Sequence, residues 1–214
     1  MQPKISQNKF GLPYLGYGLG LRAKHFDHII NHKPNIGWFE IISENFLKTR
    51  GRPREKLDEI RSHYSIVMHG VSLSIGSSDA LNSDYIKNLK QLANEINPAW
   101  ISDHLCWTGI NGRNTHDLLP VPLTTEALNH IIPRIKQVQD ILGRPLVLEN
   151  PSSYLTFRAD HMPEHEFLAE LAEKADCALL LDVNNIFVAS YNQRRPHSAM
   201  GYLTPAAFAA TFTA

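Results

Sequence analysis

The sequence contains little cysteine and has no excess of charge of either sign. Cys106 and Cys177 are the two cysteines among 214 residues, and they lack the spacing of a CxxC pair. This argues against a disulfide framework and indicates a reducing compartment. Lysine plus arginine and aspartate plus glutamate both number 21, so the formal net charge is zero. Because a domain that coats nucleic acid is normally basic, we expect no nucleic-acid partner.

Long hydrophobic runs are also missing. The first ten residues are polar and lack the apolar stretch of a secretory signal. No apolar run approaches the ~20 residues that a membrane-spanning helix needs. Hydrophobic residues make up 43% of the chain and charged residues 20%, which is ordinary for a globular protein. We therefore expect a soluble cytoplasmic protein without a membrane contact.

Strand and helix patterns alternate along most of the chain. Short apolar segments typical of buried parallel strands are followed by segments with helical spacing, such as Ile86, Leu89 and Leu92. The alternation predicts right-handed βαβ units and a parallel sheet. The predicted strands are residues 15–21, 37–43, 65–70, 100–105, 145–149 and 178–182, and residues 107–122 are predicted to be a loop after the fourth strand.

The alternation stops after Val188, when about six βα units have passed. A complete (β/α)₈ barrel usually has about 250 residues, and ~200 is near the lower limit. We therefore expect an α/β fold in which residues 1–189 form a truncated, incomplete TIM-type (β/α) barrel with open edges. Because open edges expose unpaired backbone groups, dimerisation or aggregation through them is expected. Residues 190–214 are predicted to be a separate tail, a short helix or disordered.

Four side chains with metal-ligand chemistry lie at the ends of predicted strands: His69, His104, Glu149 and Asp182. The carboxyl ends of parallel strands converge at the mouth of a barrel. Imidazole nitrogen with carboxylate oxygen suits iron, zinc or manganese, so these four are the predicted metal ligands. Further ligands, or partners that orient them, are predicted among Glu40, Glu44, Asp103, His116, Asn150 and Asn184.

The motifs around these positions resemble a known family. Residues of about 11–189 resemble the multinuclear non-haem iron-dependent oxidative enzymes, a bacterial family of TIM barrels similar to those of methanobactin biosynthesis. The matching stretches are Phe39-Glu40-Ile41 with Glu44-Asn45, His69-Gly70-Val71-Ser72, Ser102-Asp103-His104-Leu105, Asp117-Leu118-Leu119-Pro120, Leu148-Glu149-Asn150-Pro151 and Leu181-Asp182-Val183-Asn184-Asn185.

The resemblance implies a (β/α)₈ barrel with two or three irons that uses dioxygen to modify residues, often cysteines, in a ribosomally made peptide. It also implies a partner protein that presents the peptide. Carried over by position, His69, His104, Glu149 and Asp182 become iron ligands, and Glu149 is a candidate bridge between metals.

The chain departs from that family near its end. The family continues past the Asp182-Val183-Asn184-Asn185 segment with two further strands and further ligands, which have no counterpart here. Residues of about 190–214 instead resemble the carboxyl-terminal end of an insertion-sequence transposase of the integrase-core type. We therefore expect a transposase fusion whose barrel is truncated, whose iron site is at most partial and whose activity is lost.

Two other interpretations stay open. One is a different TIM-barrel enzyme that depends on a divalent metal, such as a sugar isomerase or an enzyme like apurinic endonuclease, because such enzymes use similar ligands on this scaffold. The other is a fragment without catalytic activity that a partner stabilises by covering its open edges. Activity on sugar phosphates or abasic DNA would favour the first, and gel filtration would test the second.

Overall fold

The structure, a computed structural model, describes residues 8–153 and 155–194, and side chains as far as residue 188. Its strands are β1 (Gly18–Gly20), β2 (Trp38–Ile42), β3 (Ser65–Gly70), β4 (Ile101–His104), β5 (Trp107–Ile110), β6 (Arg113–Leu119), β7 (Leu146–Glu149) and β8 (Ala178–Leu180). Its α-helices are α1 (Phe26–His32), α2 (Arg52–Arg61), α3 (Ser83–Ile96), α4 (Thr125–Leu142), α5 (Glu164–Ala175) and α6 (Val183–Arg194). Short 3₁₀ turns occupy Ala23–His25 and Ser43–Asn45.

Six of these strands form one parallel sheet, in the order β1-β2-β3-β4-β7-β8. The register places Phe39 opposite Ile66 and His69 opposite Ser102. This confirms the predicted parallel α/β architecture with strands in chain order. Within the described ranges β1 and β8 are the outer strands, so these six strands do not close a barrel.

The chain divides into two compact units. The first contains the described residues up to Leu73 with Asn82–Asp103 and Val138–Val147. Its core is built from β2 and β3, where Phe39, Ile41 and Met68 are at most 2% exposed. Helix α3 buries Ile86, Leu89 and Leu92 as the helical spacing predicted, and it begins where the Asn82 side chain accepts the Tyr85 backbone N–H at 3.0 Å.

The second unit contains Ser74–Leu81, His104–Gln137 and the described residues from Leu148 onward. In α5, Phe167, Leu171 and Ala175 are fully buried. Strands β5 and β6 form an antiparallel hairpin within residues 107–122, where the sequence predicts a loop. Asn111 and Gly112, at its turn, have φ angles of 52° and 70°. This Asn-Gly pair is the residue choice that a tight hairpin turn requires.

Helix α6 is the second difference from the prediction, because it begins directly after β8, where the alternation was expected to end. It crosses the predicted boundary between residues 189 and 190. The predicted short helix or disordered tail lies, from residue 195 onward, outside the described residues. Among the helices in the described ranges, none is both long enough and apolar enough to cross a membrane.

Candidate metal centre

Three of the four predicted ligands come together at the ends of neighbouring strands. His69 is near the end of β3, and His104 and Glu149 are the last residues of β4 and β7. A ring nitrogen from each histidine and a carboxylate oxygen of Glu149 all lie within 4.8 Å of one another. The three residues are buried, with exposed fractions of 6%, 9% and 7%. Since β3, β4 and β7 are adjacent parallel strands, their carboxyl ends meet at one edge of the sheet.

The ring of His69 is oriented by Ser102 on the neighbouring strand. Nδ1 of His69 lies 2.8 Å from Oγ of Ser102, and that hydroxyl donates to the carbonyl of Met68 at 3.3 Å. Because the Ser102 hydroxyl donates its proton to the carbonyl of Met68, the hydrogen-bond network assigns a proton to Nδ1 of His69. The lone pair is then on Nε2, which makes Nε2 the nitrogen that a metal would use.

His104 and Glu149 face each other within the group. Nε2 of His104 lies 3.6 Å from Oε2 of Glu149. The backbone N–H of Leu105 donates to the carbonyl of Glu149 at 2.9 Å, which fixes the two strand ends against each other. The other carboxylate oxygen, Oε1 of Glu149, accepts from Nδ2 of Asn185 at 3.3 Å.

Asp182 lies beside this group but does not belong to the set of three. Its Oδ1 accepts the backbone N–H groups of Asn184 and Asn185 at 2.8 and 3.2 Å, which caps the start of α6. Its backbone exchanges two hydrogen bonds with the side chain of the buried Asn150, at 2.7 and 3.2 Å. The role of Asp182 as a ligand therefore stays a prediction.

The remaining predicted partners take different positions. Glu44 and Asp103 contact Tyr85 and belong to a cluster described further below. His116 is exposed on β6, with a φ angle of 57°. Asn184 is exposed at the start of α6. Neither His116 nor Asn184 belongs to the three-residue group.

Glu40 lies on β2, where the sheet half-buries it. Its carbonyl accepts the backbone N–H of Leu21 at 2.6 Å. Burial raises the pKa of its carboxyl, and the charge of Arg22 partly opposes that rise. Glu40 is not one of the three grouped residues either.

The donor set of the three-residue group fits a divalent transition metal. Two imidazole nitrogens and one carboxylate oxygen are the ligand combination of non-haem iron(II) sites, and zinc and manganese accept the same donors. Three protein ligands also leave coordination positions for a substrate or a small molecule. The donor types do not select iron over zinc or manganese.

Sequence reasoning did not identify Ser102 and Asn185, which orient the group. Ser102 is two residues before His104 and faces His69, which is 33 positions away. Asn185 is 36 positions from Glu149, whose Oε1 it contacts. A strand-end position marks a candidate ligand, but no local pattern marks the residue that orients it through a hydrogen bond.

The fold and the buried group define a class: an α/β protein of the TIM-barrel type with a candidate site for a divalent metal. The comparison with family models is more specific. The chain belongs to the family described as the RiPP precursor modification enzyme MbnB/TglH/ChrH, whose model matches residues 16–209. This match includes most of the predicted tail of residues 190–214. The resemblance of the tail to a transposase stays a prediction.

Curated relatives are similar in sequence to this chain over most of its length, which is consistent with the family assignment. A UPF0276 protein of Anaeromyxobacter sp. (strain Fw109-5) is 55% identical over 178 residues, covering 83% of this chain and 63% of the relative. A UPF0276 protein of Caulobacter vibrioides (strain NA1000 / CB15N) is 50% identical over 181 residues, covering 84% and 65%. The chain thus spans somewhat less than two thirds of the length of these relatives.

Solved structures with the same fold are more distant in sequence. A D-psicose 3-epimerase, crystallised with D-fructose, has a TM-score of 0.54 at 12% identity, covering 80% of this chain and 65% of that one. Endonuclease IV from Thermus thermophilus has a TM-score of 0.52 at 15% identity, covering 90% and 72%. At these identities the likeness shows the fold alone.

Proposed function

We propose that this chain binds iron at His69, His104 and Glu149 and, with dioxygen, oxidatively modifies a ribosomally made peptide. The observation that carries the proposal is the buried group of two imidazoles and one carboxylate, whose ligand atoms lie within 4.8 Å of one another. Membership in a family of RiPP precursor modification enzymes supports a precursor peptide as the substrate. Because the chain covers 63–65% of its relatives, the activity of a whole relative is not assigned to it.

The protein's own contribution is to hold the ligands and leave room beside the metal. Ser102 fixes the ring of His69, and Asn185 holds one oxygen of Glu149 through its amide. Iron(II) in this site would supply electrons to dioxygen. With three protein ligands, open coordination positions remain for the oxidant and for a substrate group.

A cysteine side chain is the substrate group that we favour. Its thiolate is a soft ligand that iron accepts, so an open coordination position would both bind and orient it. A separate partner protein would present the peptide, as the resemblance implies. This proposal requires one ion at the three-residue group, and a multinuclear centre would need further ligands such as Asp182.

Mass spectrometry of peptides tests the proposal. The protein is loaded with iron(II) without oxygen, then mixed with a pool of cysteine-containing peptides and exposed to air. We expect a mass change in peptides that needs both iron and dioxygen and that disappears in His104→Ala. The matched control is His63→Ala, because His63 is exposed and outside the group.

Two results would contradict the proposal. A mass change of equal yield in His104→Ala would show that the group takes no part. No change in any peptide, with iron bound, would favour the predicted loss of activity. In that case D-fructose and abasic DNA are tested with the same preparation. Turnover of either would support the alternative of a sugar isomerase or an endonuclease.

A further inference from the structure

A half-buried cluster of Tyr85, Glu44 and Asp103 lies next to the strand ends that carry the two histidines. The Tyr85 hydroxyl lies 2.8 Å from Oε1 of Glu44 and 3.3 Å from Oδ2 of Asp103. Asp103 is fully buried. We call these three residues the tyrosine–carboxylate cluster. They come from β4, from α3 and from the turn after β2, so a single phenol connects three elements of the first unit.

The cluster also holds the chain segment that follows His69. Oε1 of Glu44 accepts the backbone N–H of Val71 at 2.9 Å, and Oδ2 of Asp103 accepts that of Leu73 at 3.3 Å. These two amides belong to the segment directly after β3. The carboxylates therefore fix the direction in which the chain leaves the strand.

Gly70 shows how closely the cluster approaches this segment. A Cβ atom at Gly70 would lie 2.2 Å from Oδ2 of Asp103 and 2.8 Å from the Tyr85 hydroxyl. No side chain fits there unless the cluster moves. The backbone next to His69 is thus in direct contact with the cluster.

The charges explain why a phenol suits this position. Burial, with the nearby charges of Asp103 and Glu44, raises the pKa of Tyr85 well above its usual range. The hydroxyl therefore keeps its proton and donates to carboxylates. A hydrogen bond to a charged acceptor is stronger than one between neutral groups.

We propose that Tyr85 is a positioning residue that pre-organises His69 and His104 for metal binding, an inference that rests on the metal site proposed above. Gly70 follows His69 in the chain, and Asp103 precedes His104. Ser102, the neighbour of Asp103, is the residue that contacts the ring of His69. The phenol hydroxyl links Glu44 to Asp103, so without it the two carboxylates that hold the segment after β3 are no longer joined through Tyr85.

Cobalt(II) titration of the metal-free protein tests this proposal, with cobalt(II) as a spectroscopic probe of the site. We expect Tyr85→Phe to bind cobalt(II) about 10–100-fold more weakly, as is typical when a partner that supports metal ligands is lost. We also expect a changed visible spectrum of the bound cobalt. The matched control is Tyr64→Phe, because the Tyr64 hydroxyl is also half-buried but donates to the carbonyl of Pro34, at 2.9 Å.

The outcomes separate this proposal from the metal site itself. If Tyr85→Phe has a lower melting temperature but the wild-type cobalt(II) affinity and spectrum, Tyr85 is only structural and the proposal is overturned. If the wild type binds no cobalt(II), the metal site fails and the inference fails with it. Wild-type binding combined with unchanged binding in Tyr85→Phe rejects the inference alone.

A measurement on the wild type covers the case in which Tyr85→Phe does not fold. Pre-organisation requires that the amides of Val71 and Leu73 be protected before metal binds. We expect hydrogen exchange, followed by NMR in the metal-free protein, to be as slow at these two amides as inside α3. Rapid exchange that slows only when cobalt(II) is added would overturn the proposal.

Discussion

At the scale of single residues, the orientation of one imidazole rests on one hydroxyl. Ser102 is fully buried, and its Oγ contacts both Nδ1 of His69 and the carbonyl of Met68. A serine in this position fixes both the ring angle and the tautomer of His69. In the proposed metal site Ser102 would be a supporting partner, the kind of residue whose loss weakens metal binding without removing a ligand.

Ser102→Ala is expected to weaken metal binding by about 10–100-fold. The hydroxyl no longer accepts from Nδ1, so the ring of His69 loses its fixed orientation. Competition of zinc against a chromophoric chelator measures the change in affinity. Ser62→Ala is the control, because the Ser62 hydroxyl is exposed and donates to the carbonyl of Glu59 in the preceding helix. Equal zinc affinity in wild type and Ser102→Ala would contradict this role.

The residue scale also shows the limit of prediction from sequence. His69, His104 and Glu149 were predicted because a strand-end position in a parallel sheet directs a side chain to a shared edge. Ser102, Tyr85 and Asn185 were not, because their roles depend on contacts with residues distant in the chain. For Tyr85, those contacts are 41 and 18 positions away.

At the scale of secondary-structure elements, the β5–β6 hairpin depends on an anchor outside it. Asp79 accepts the backbone N–H groups of Asn111 and Gly112 at 2.8 and 2.9 Å. Arg134 on α4 donates to the carbonyl of Asp79 at 2.9 Å. One carboxylate thus fixes the turn to the loop that follows β3.

Asp79→Asn is expected to loosen this turn, since the amide offers one acceptor oxygen in place of two. Protection of the Asn111 and Gly112 amides against hydrogen exchange, followed by NMR, measures the effect. The control is Asp84→Asn, because Asp84 is exposed and pairs with Lys87 at 3.7 Å. Unchanged protection in Asp79→Asn would show that the carboxylate does not anchor the turn.

The pH dependence of this contact has a definite sign. The two backbone N–H groups lower the pKa of Asp79 in the folded chain. A depressed folded pKa stabilises the protein above the unfolded value of about 3.9 and loses that effect as pH falls through the folded pKa. The free energies of unfolding of the wild type and Asp79→Asn are therefore expected to differ at pH 6 and to converge in strong acid. A difference in unfolding free energy that persists in strong acid would contradict the lowered pKa of Asp79.

Some secondary-structure elements were predicted correctly from the sequence and others were not, and the difference has physical reasons. The six parallel strands were recognised because they are short, apolar and separated by helical patterns. The hairpin was missed although Asn111-Gly112 is a strong turn signal, because the exposed β6 lacks an apolar alternation. Helix α6 was missed because its first turns expose apolar residues, Val183, Ile186 and Phe187, and so show no buried stripe.

At the scale of the whole molecule, an outer strand and the helix after it expose apolar surface. Leu179, Leu181 and Phe187 are 41%, 61% and 66% exposed, on β8, after it and on α6. Within the described sheet β8 has a neighbour on one side. An outer strand with apolar side chains is a typical site of association.

We therefore expect the protein to associate with itself as its concentration rises. Leu181→Glu combined with Phe187→Glu should shift the chain toward monomer, because charges on this surface oppose pairing. Sedimentation velocity across a concentration series measures the shift. Leu155→Glu is the control, since Leu155 is 42% exposed but lies outside β8 and α6. A monomeric wild type at all concentrations would contradict the expectation.

Metal content per chain shows whether His69, His104 and Glu149 bind a metal ion. The protein is loaded with iron(II) under anaerobic conditions, desalted and measured by plasma mass spectrometry beside His104→Ala and His63→Ala. We expect about one metal ion per chain, as three protein ligands allow, in the wild type and in His63→Ala, and almost none in His104→Ala. A wild type without metal, or equal metal in His104→Ala, would contradict the claim that His69, His104 and Glu149 form the site.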